Sequence, residues 1–420
     1  MSSAAAFQLW IDATRPASGW CLWGMSLVER QVREAGRRGL RRAQVWVSPV
    51  SEASVRRLRP DLHRLYDLEI KFGAGALADA TDPALVLEGD VVYDERIIDH
   101  LLSGGPGRAF RGADGECAAL IDAAGLRQLG RLASGDDVGL AALIARHGDE
   151  LGLTAVDMGQ IEDYISSLRL TMPPYMIRLA SPERLPEVDR LMYRRTFKGV
   201  IDAVALYGYY HLVRWITRHI SRTRLSPNFL TVLSILAIWA AVPLFLLDWH
   251  GWAIVAAWIG VILDSVDGKL ARLRLHLSEA MGHFEHLAAM PGLGLWYLSI
   301  GWSLSGGGLG GGVTAVATWI LLASYLLDKG LSGGFKALYG CELFDYRPVD
   351  AVFHLVACRR NIGLLIYTIG LLAGGGRESL YAIAAWMVVT TAFHALRFGW
   401  IAAADRSRTE VEVRGMEAGS

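Results

Sequence analysis

Ile262-Leu263-Asp264-Ser265-Val266-Asp267-Gly268-Lys269-Leu270-Ala271-Arg272 closes a long apolar run with two carboxylates, a glycine and a basic cluster. At helical spacing Asp264 and Asp267 share one face, about one turn apart. Ionisable groups at the edge of an apolar segment are costly to keep there, so a pair of them calls for a partner. For two facing acids the fitting partner is a divalent cation with a taste for oxygen, Mg²⁺ above others. Gly268 lets a diphosphate approach the backbone, and Arg272 can take phosphate charge. The plainer alternative is a helix end with solvated charges.

Working outward, the composition agrees with a membrane setting. Of 420 residues, 52% are hydrophobic and 14 are Trp, too apolar for an ordinary soluble enzyme. The formal net charge is zero, so the chain carries no electrostatic footprint for nucleic acid. Cys21, Cys117, Cys341 and Cys358 are far apart and form no CxxC pair. Neither a zinc site nor a disulfide framework is indicated. The first 25 or so residues lack a basic segment followed by an apolar run, the pattern of a signal peptide. The N-terminal part is therefore expected in the cytoplasm.

Residues 1–170 read as an α/β domain. Short apolar runs at 7–11, 43–47, 85–87, 118–121 and 153–156 alternate with helical patterns such as 27–36, which predicts a parallel sheet. Asp90 falls at the C-terminal end of one strand, where sites in such sheets lie. Residues 171–225 form a connector. It breaks at Pro173-Pro174 and then interleaves Arg194, Arg195, Lys198, Arg214, Arg218, Arg222 and Arg224 with Tyr207, Tyr209, Tyr210 and Trp215. A basic, aromatic helix of this kind is expected at a membrane surface.

Residues 226–402 predict an all-α polytopic membrane domain with six transmembrane helices. The apolar runs are 229–247, 249–263, 287–304, 313–327, 352–373 (interrupted by Arg359-Arg360-Asn361) and 380–398. Loops near Trp249, across 306–312 and around Arg377 are poor in Lys and Arg. Those holding Lys269, Arg272 and Arg274, and Lys329, Lys336 and Arg347, are rich in them. The positive-inside rule then places both termini and the opening motif on the cytoplasmic side of a multi-pass inner-membrane protein. Residues 403–420 read as a polar tail.

Two resemblances follow from these stretches. Trp23-Gly24-Met25-Ser26-Leu27-Val28-Glu29-Arg30-Gln31 with Val86-Leu87-Glu88-Gly89-Asp90 resembles the sugar-phosphate nucleotidyltransferases, in which the acid ending the second motif, here Asp90, holds a metal. Where that family has a glycine-rich loop and a lysine, this chain has Ile11-Asp12-Ala13-Thr14-Arg15-Pro16-Ala17-Ser18-Gly19. The opening motif resembles the CDP-alcohol phosphotransferase family, whose pattern is Asp-x2-Asp-Gly-x2-Ala-Arg-x8-Gly-x3-Asp-x3-Asp. Asp264, Asp267, Gly268, Ala271 and Arg272 match its first half without a gap, and Ser226-Pro227-Asn228-Phe229-Leu230-Thr231 resembles the start of its first span.

The second resemblance implies transfer of a phosphoalcohol from a CDP-alcohol to an acceptor hydroxyl, with release of CMP, in phospholipid or related biosynthesis. It implies Mg²⁺ (or Mn²⁺) as cofactor, held by Asp264, Asp267 and Glu285. It implies nucleotide contacts from Asn228, Thr231, Gly268, Ala271 and Arg272, and it allows a homodimer in the bilayer. In the ungapped register Met281 stands at the second glycine, Glu285 at the third acid and Ala289 at the fourth, the residue that takes the hydroxyl proton in the family. His286, one turn before Ala289, is a replacement base or a packing histidine; His283 is a second candidate. Arg359 and Arg360 suit a phosphate on the acceptor, or serve as topology anchors. The alternative to an enzyme is a pseudoenzyme that binds a nucleotide or lipid, or scaffolds a partner.

Overall fold

The computed structural model describes residues 7–73, 77–133, 139–165, 170–197 and 200–417. The chain divides into two compact units. One comprises residues 1–197, 218–224 and 269–277, the other 198–217, 225–268 and 278–420.

The first unit is built on a seven-stranded sheet. Its strands are β1 (Gln8–Ala13), β2 (Arg42–Val47), β3 (Glu69–Phe72), β4 (Ala84–Glu88), β5 (Arg108–Arg111), β6 (Cys117–Ile121) and β7 (Thr154–Val156), in the order β7-β5-β6-β4-β1-β2-β3. β1 lies between β2 and β4 in parallel, and β2 is parallel to β3. The expectation of a parallel sheet holds except at β6, which runs antiparallel to both β4 and β5. The reason is local. Only residues 112–116 join β5 to β6, with Gly115 at φ 76° and the Gly112 N–H bonded to the Glu116 carbonyl. A parallel pairing would need a crossover of a dozen residues or more. Both faces are covered: Leu9, Ile11 and Ala13 enter one core cluster, while Trp10 enters the other. That is the alternation a strand between two helical layers requires.

This unit continues past residue 171. Met176–Arg178 pairs antiparallel with Val91–Tyr93, and a helix at Leu185–Arg194 follows. Tyr193 of that helix stacks on Trp23 at 5.5 Å between ring centroids. The segments 218–224 and 269–277 pack into the same unit around Arg274, which is buried. Its Nη2 donates to the carbonyls of Ile220, Ser221 and Thr223 at 2.8, 2.8 and 2.9 Å. Arg30 donates to the Leu273 carbonyl at 2.6 Å, and Arg33 to the Arg274 carbonyl at 3.3 Å. Gly24, at φ 74°, lies against Ser221, where a Cβ would stand 1.8 Å from the carbonyl oxygen.

The second unit is helical. Its helices are α1 (Pro227–Leu246), α2 (His250–Leu273, whose last turn counts with the first unit), α3 (Glu279–Leu304), α4 (Val313–Tyr339), α5 (Pro348–His354), α6 (Arg360–Leu372) and α7 (Gly376–Glu417). Ser226 caps α1 by accepting from the Phe229 N–H, with Pro227 at the first helical position. Among the described residues, Pro227–Leu246 and Gly376–Asp405 are long and apolar enough to cross a membrane. The run expected at 352–373 is split into α5 and α6. At 13 residues α6 is about 20 Å long, short of the ~30 Å hydrocarbon core.

Large apolar side chains point outward along these helices, including Leu236 and Trp239 of α1, Trp252 of α2, Trp319 and Leu327 of α4 and Leu396 of α7. Polar groups are turned in. Thr391 donates to the Ser324 carbonyl at 3.1 Å, and His394 pairs with Asp328 at 2.6 Å, joining α7 to α4. α3 lies close on α1, where Gly292 faces Ile238 and Trp296 donates to the Ile238 carbonyl at 2.7 Å. This is an apolar-out, polar-in arrangement, the reverse of an ordinary soluble bundle.

Candidate active site

The motif helix α2 carries Asp264 toward a cavity of about 320 Å³ inside the second unit. Glu285 of α3 lies beside Asp264, with Asp267 and Arg360 near enough to act on it electrostatically. Arg360, the first residue of α6, donates from Nη2 to Asp264 Oδ2 at 2.6 Å. Four acids line this space, Asp202, Asp264, Glu285 and Asp328, together with Lys329, Arg359 and Arg360. The cavity therefore gathers both signs of charge within helices whose outer surfaces are apolar.

The wall is tied down by Asn361. Its amide donates to Asp202 at 2.6 Å and to the Tyr209 hydroxyl at 2.8 Å, and Ser265 donates to the same hydroxyl at 3.5 Å. Arg359 behaves differently from its neighbour. It contacts His354 Nε2 at 3.1 Å and lies over the Phe344 ring at 5.4 Å. The two arginines read together from sequence thus have separate surroundings: Arg360 meets the motif acid, and Arg359 meets the α5 side of the cavity.

The structure brings Asp264, Glu285, Arg359 and Arg360 to one cavity and leaves other residues of the sequence reading outside its lining. Asp267 follows one turn along α2 and is buried. Gly268 succeeds it. Ala271 and Arg272 lie in the stretch that packs with the first unit. Asn228 and Thr231 sit in the opening turns of α1, where the buried Thr231 hydroxyl donates to the Pro227 carbonyl at 3.2 Å. Ala289 is on the cavity wall, so the position without an acid faces the same space. The His286 side chain lies outside the described residues.

Asp264 and Glu285 lie side by side with Asp267 near enough to act on Glu285 electrostatically, and carboxylate oxygens are the donors a hard divalent cation takes. The described residues contain no ready-made group of three or more His, Cys, Asp or Glu arranged to hold a metal ion. The chemistry of the donors fits such an ion, while Asp264 is engaged by Arg360.

In the first unit the acids at the end of β4 and just beyond it close on arginines. Asp90 is buried and accepts from Arg15 at 2.9 Å. Glu88 accepts from Arg178 at 2.7 and 2.8 Å and from the Cys117 N–H at 2.9 Å. Burial pushes the Glu88 carboxyl up to about 7 against the pull of Arg178 and that N–H. The acid that the nucleotidyltransferase resemblance marks for a metal thus holds the arginine of the preceding loop.

Residues 224–289 match the CDP-alcohol phosphatidyltransferase family model. Among curated proteins no match is found. The phosphatidyltransferase stretch runs from the approach to α1 through α2 to Ala289, so it takes in both halves of the motif. A CDP-alcohol phosphatidyltransferase domain points to transfer of a phosphoalcohol from a CDP-alcohol. Sequence reasoning did not single out Asp202, Asn361 or the Asp328–His394 pair. An aspartate and a histidine within otherwise apolar helices were the available signal for that pair.

Proposed function

We propose that the second unit is a membrane domain that moves a phosphoalcohol from a CDP-alcohol to an acceptor alcohol and releases CMP at the cytoplasmic face. The observation that carries this is the meeting of the motif acids Asp264 and Glu285 with Arg359 and Arg360 at one cavity, in a chain whose residues 224–289 match the phosphatidyltransferase model. The outward apolar side chains of α1, α2, α4 and α7 support the membrane setting. The exposed Leu212 and Trp215 of the basic helix Tyr210–Ser221 suit a bilayer surface beside it.

Asp264, Asp267 and Glu285 would hold Mg²⁺ or Mn²⁺. When bound, the ion neutralises charge on the donor diphosphate and polarises the phosphorus under attack. Arg360 fixes the orientation of Asp264. Gly268 and Ala271 keep the motif helix low where the nucleotide approaches, Arg272 takes phosphate charge, and Asn228 and Thr231 border the nucleotide from α1. Arg359 serves a phosphate on the acceptor. On the motif alone, the proton acceptor would be His286 of α3, one turn before Ala289.

A second reading, a pseudoenzyme that binds a nucleotide or lipid, is favoured by Ala289 at the position of the fourth acid. CMP release from a panel of CDP-alcohols with Mg²⁺ or Mn²⁺ separates the two. The transferase reading requires release well above that of Asp264→Ala. Release equal to that variant with every donor, alongside retained binding of CDP-diacylglycerol, supports the pseudoenzyme.

A further inference from the structure

An acceptor hydroxyl attacking phosphorus needs somewhere to put its proton, and a positioned base is typically worth 10²–10⁴-fold in rate. Four acids line the cavity, and the structure distinguishes them. Asp264 is bonded to Arg360 and has Glu285 beside it, so these two belong with the diphosphate charge. Asp202 accepts from the Asn361 amide at 2.6 Å and from the Ala205 N–H at 3.0 Å, which makes it a clamp between segments. Asp328 accepts from a histidine, His394 Nδ1, at 2.6 Å.

The level of Asp328 along the bundle follows from its neighbour. Tyr325, one turn earlier on α4, reaches the Met290 carbonyl of α3 with its hydroxyl at 3.4 Å, and its ring packs by Gly294. Contacts continuing along α4 toward its C-terminus therefore meet the earlier turns of α3, where Ala289 and Glu285 stand. Ala289 and Asp328 share the cavity wall. His394 does not line the cavity. It is buried behind Asp328, with the rings of Phe353 and Phe393 against it at 5.9 and 6.0 Å. Asp328 thus faces the reacting space, and His394 holds it from behind.

We infer that Asp328, oriented by His394, takes the proton of the acceptor hydroxyl, the role that Ala289 of α3 cannot fill at the fourth acid position and that the motif alone would leave to His286; this rests on the transferase reading above. The His394 bond engages Oδ1, and Oδ2 receives the proton. The acceptor O–H bond breaks and its oxygen bonds to the β-phosphorus of the donor. The bond from that phosphorus to the bridging oxygen breaks with its electron pair, and CMP leaves. The proton on Asp328 then returns to water. Asp328 is a catalytic residue on this assignment, and His394 a positioning residue.

The test uses the full chain in detergent with Mg²⁺, a panel of CDP-diacylglycerol, CDP-glycerol and CDP-choline as donors, and glycerol 3-phosphate as acceptor. Asp328→Asn is expected to lower kcat by about 100-fold or more with the donor KM within about twofold. Asp328→Glu restores part of that loss, and His394→Gln lowers kcat about tenfold at unchanged donor KM. The inference is overturned if Asp328→Asn keeps half of the wild-type kcat or changes only KM. A large kcat loss in His286→Ala or Lys329→Met with Asp328→Asn unaffected overturns it too. If Asp328→Asn fails to fold, Asp328→Glu decides: partial turnover at unchanged donor KM supports the assignment, and wild-type turnover overturns it. Wild-type release no greater than that of Asp264→Ala overturns the transfer reading itself, and this assignment with it.

Discussion

Arg360 reaches Asp264 across 2.6 Å, fastening the first turn of α6 to the first acid of the α2 motif. Both side chains are mostly shielded, at 23% and 15% exposure. Removing one partner of such a pair leaves the other as an uncompensated charge, here with Glu285 beside it. Arg360→Ala is expected to cut kcat/KM about 100-fold, equivalent to ~2.7 kcal/mol of transition-state stabilisation. Steady-state CMP release checks this. A change under threefold would show that the pair only packs the bundle.

Chelation gives the second prediction. EDTA abolishes CMP release, and Mg²⁺ or Mn²⁺ restores it. Asp267→Asn raises the half-saturating Mg²⁺ concentration about tenfold or more, since one of three hard oxygen donors loses its charge. Unchanged metal dependence in that variant would remove Asp267 from the metal set.

Asp61, in the first unit, predicts a pH effect. Burial alone would raise its carboxyl, but hydrogen bonds from His276 and Arg33 and the charges of Arg33 and Arg59 outweigh burial and hold it well below the usual carboxylate range. A depressed carboxyl stabilises the fold above its unfolded value of ~3.9 and loses that contribution as pH falls through the native value. Asp61→Asn should lower the thermal midpoint at pH 7 by the equivalent of about 1–3 kcal/mol. The variant and wild type should then converge as pH falls below ~4. A gap that stays constant down to pH 2 would contradict this.

Arg274 satisfies three carbonyls from one buried guanidinium. Arg274→Met keeps the apolar stem and strands those acceptors, at a cost of about 2–4 kcal/mol. Thermal unfolding of the full chain should show a drop of several degrees, with only partial recovery in Arg274→Lys, which has no planar fork. An unchanged midpoint would mean that water replaces the guanidinium at no cost.

Much of this was legible in the sequence where the signal is local. The strands at Gln8–Ala13, Arg42–Val47 and Ala84–Glu88 follow from short apolar runs, and the cap at Ser226 from Ser-Pro. Glu69–Phe72 and Arg108–Arg111 were not legible, being four residues each with charges at one or both ends. The antiparallel turn of β6 depended on the brevity of 112–116, which only a second strand at Arg108–Arg111 makes meaningful. In the site, Asp264 and Asp267 declared themselves by spacing within one helix. Asp328 and His394 are 66 positions apart, and Asp202 and Asn361 are 159 apart, so no spacing rule joins them. The pairing of Arg360 with Asp264 was hidden for the same reason, since α6 meets α2 only after the bundle has closed.

Following the β-phosphate tests the transferase reading most directly. A CDP-alcohol labelled with ³²P at the β-position is incubated with the full chain, Mg²⁺ and glycerol 3-phosphate. The predicted result is label in the acceptor product with unlabelled CMP released in equal amount, and neither with Asp264→Ala. Label that stays in the donor at the level of Asp264→Ala, for every CDP-alcohol in the panel, would contradict it.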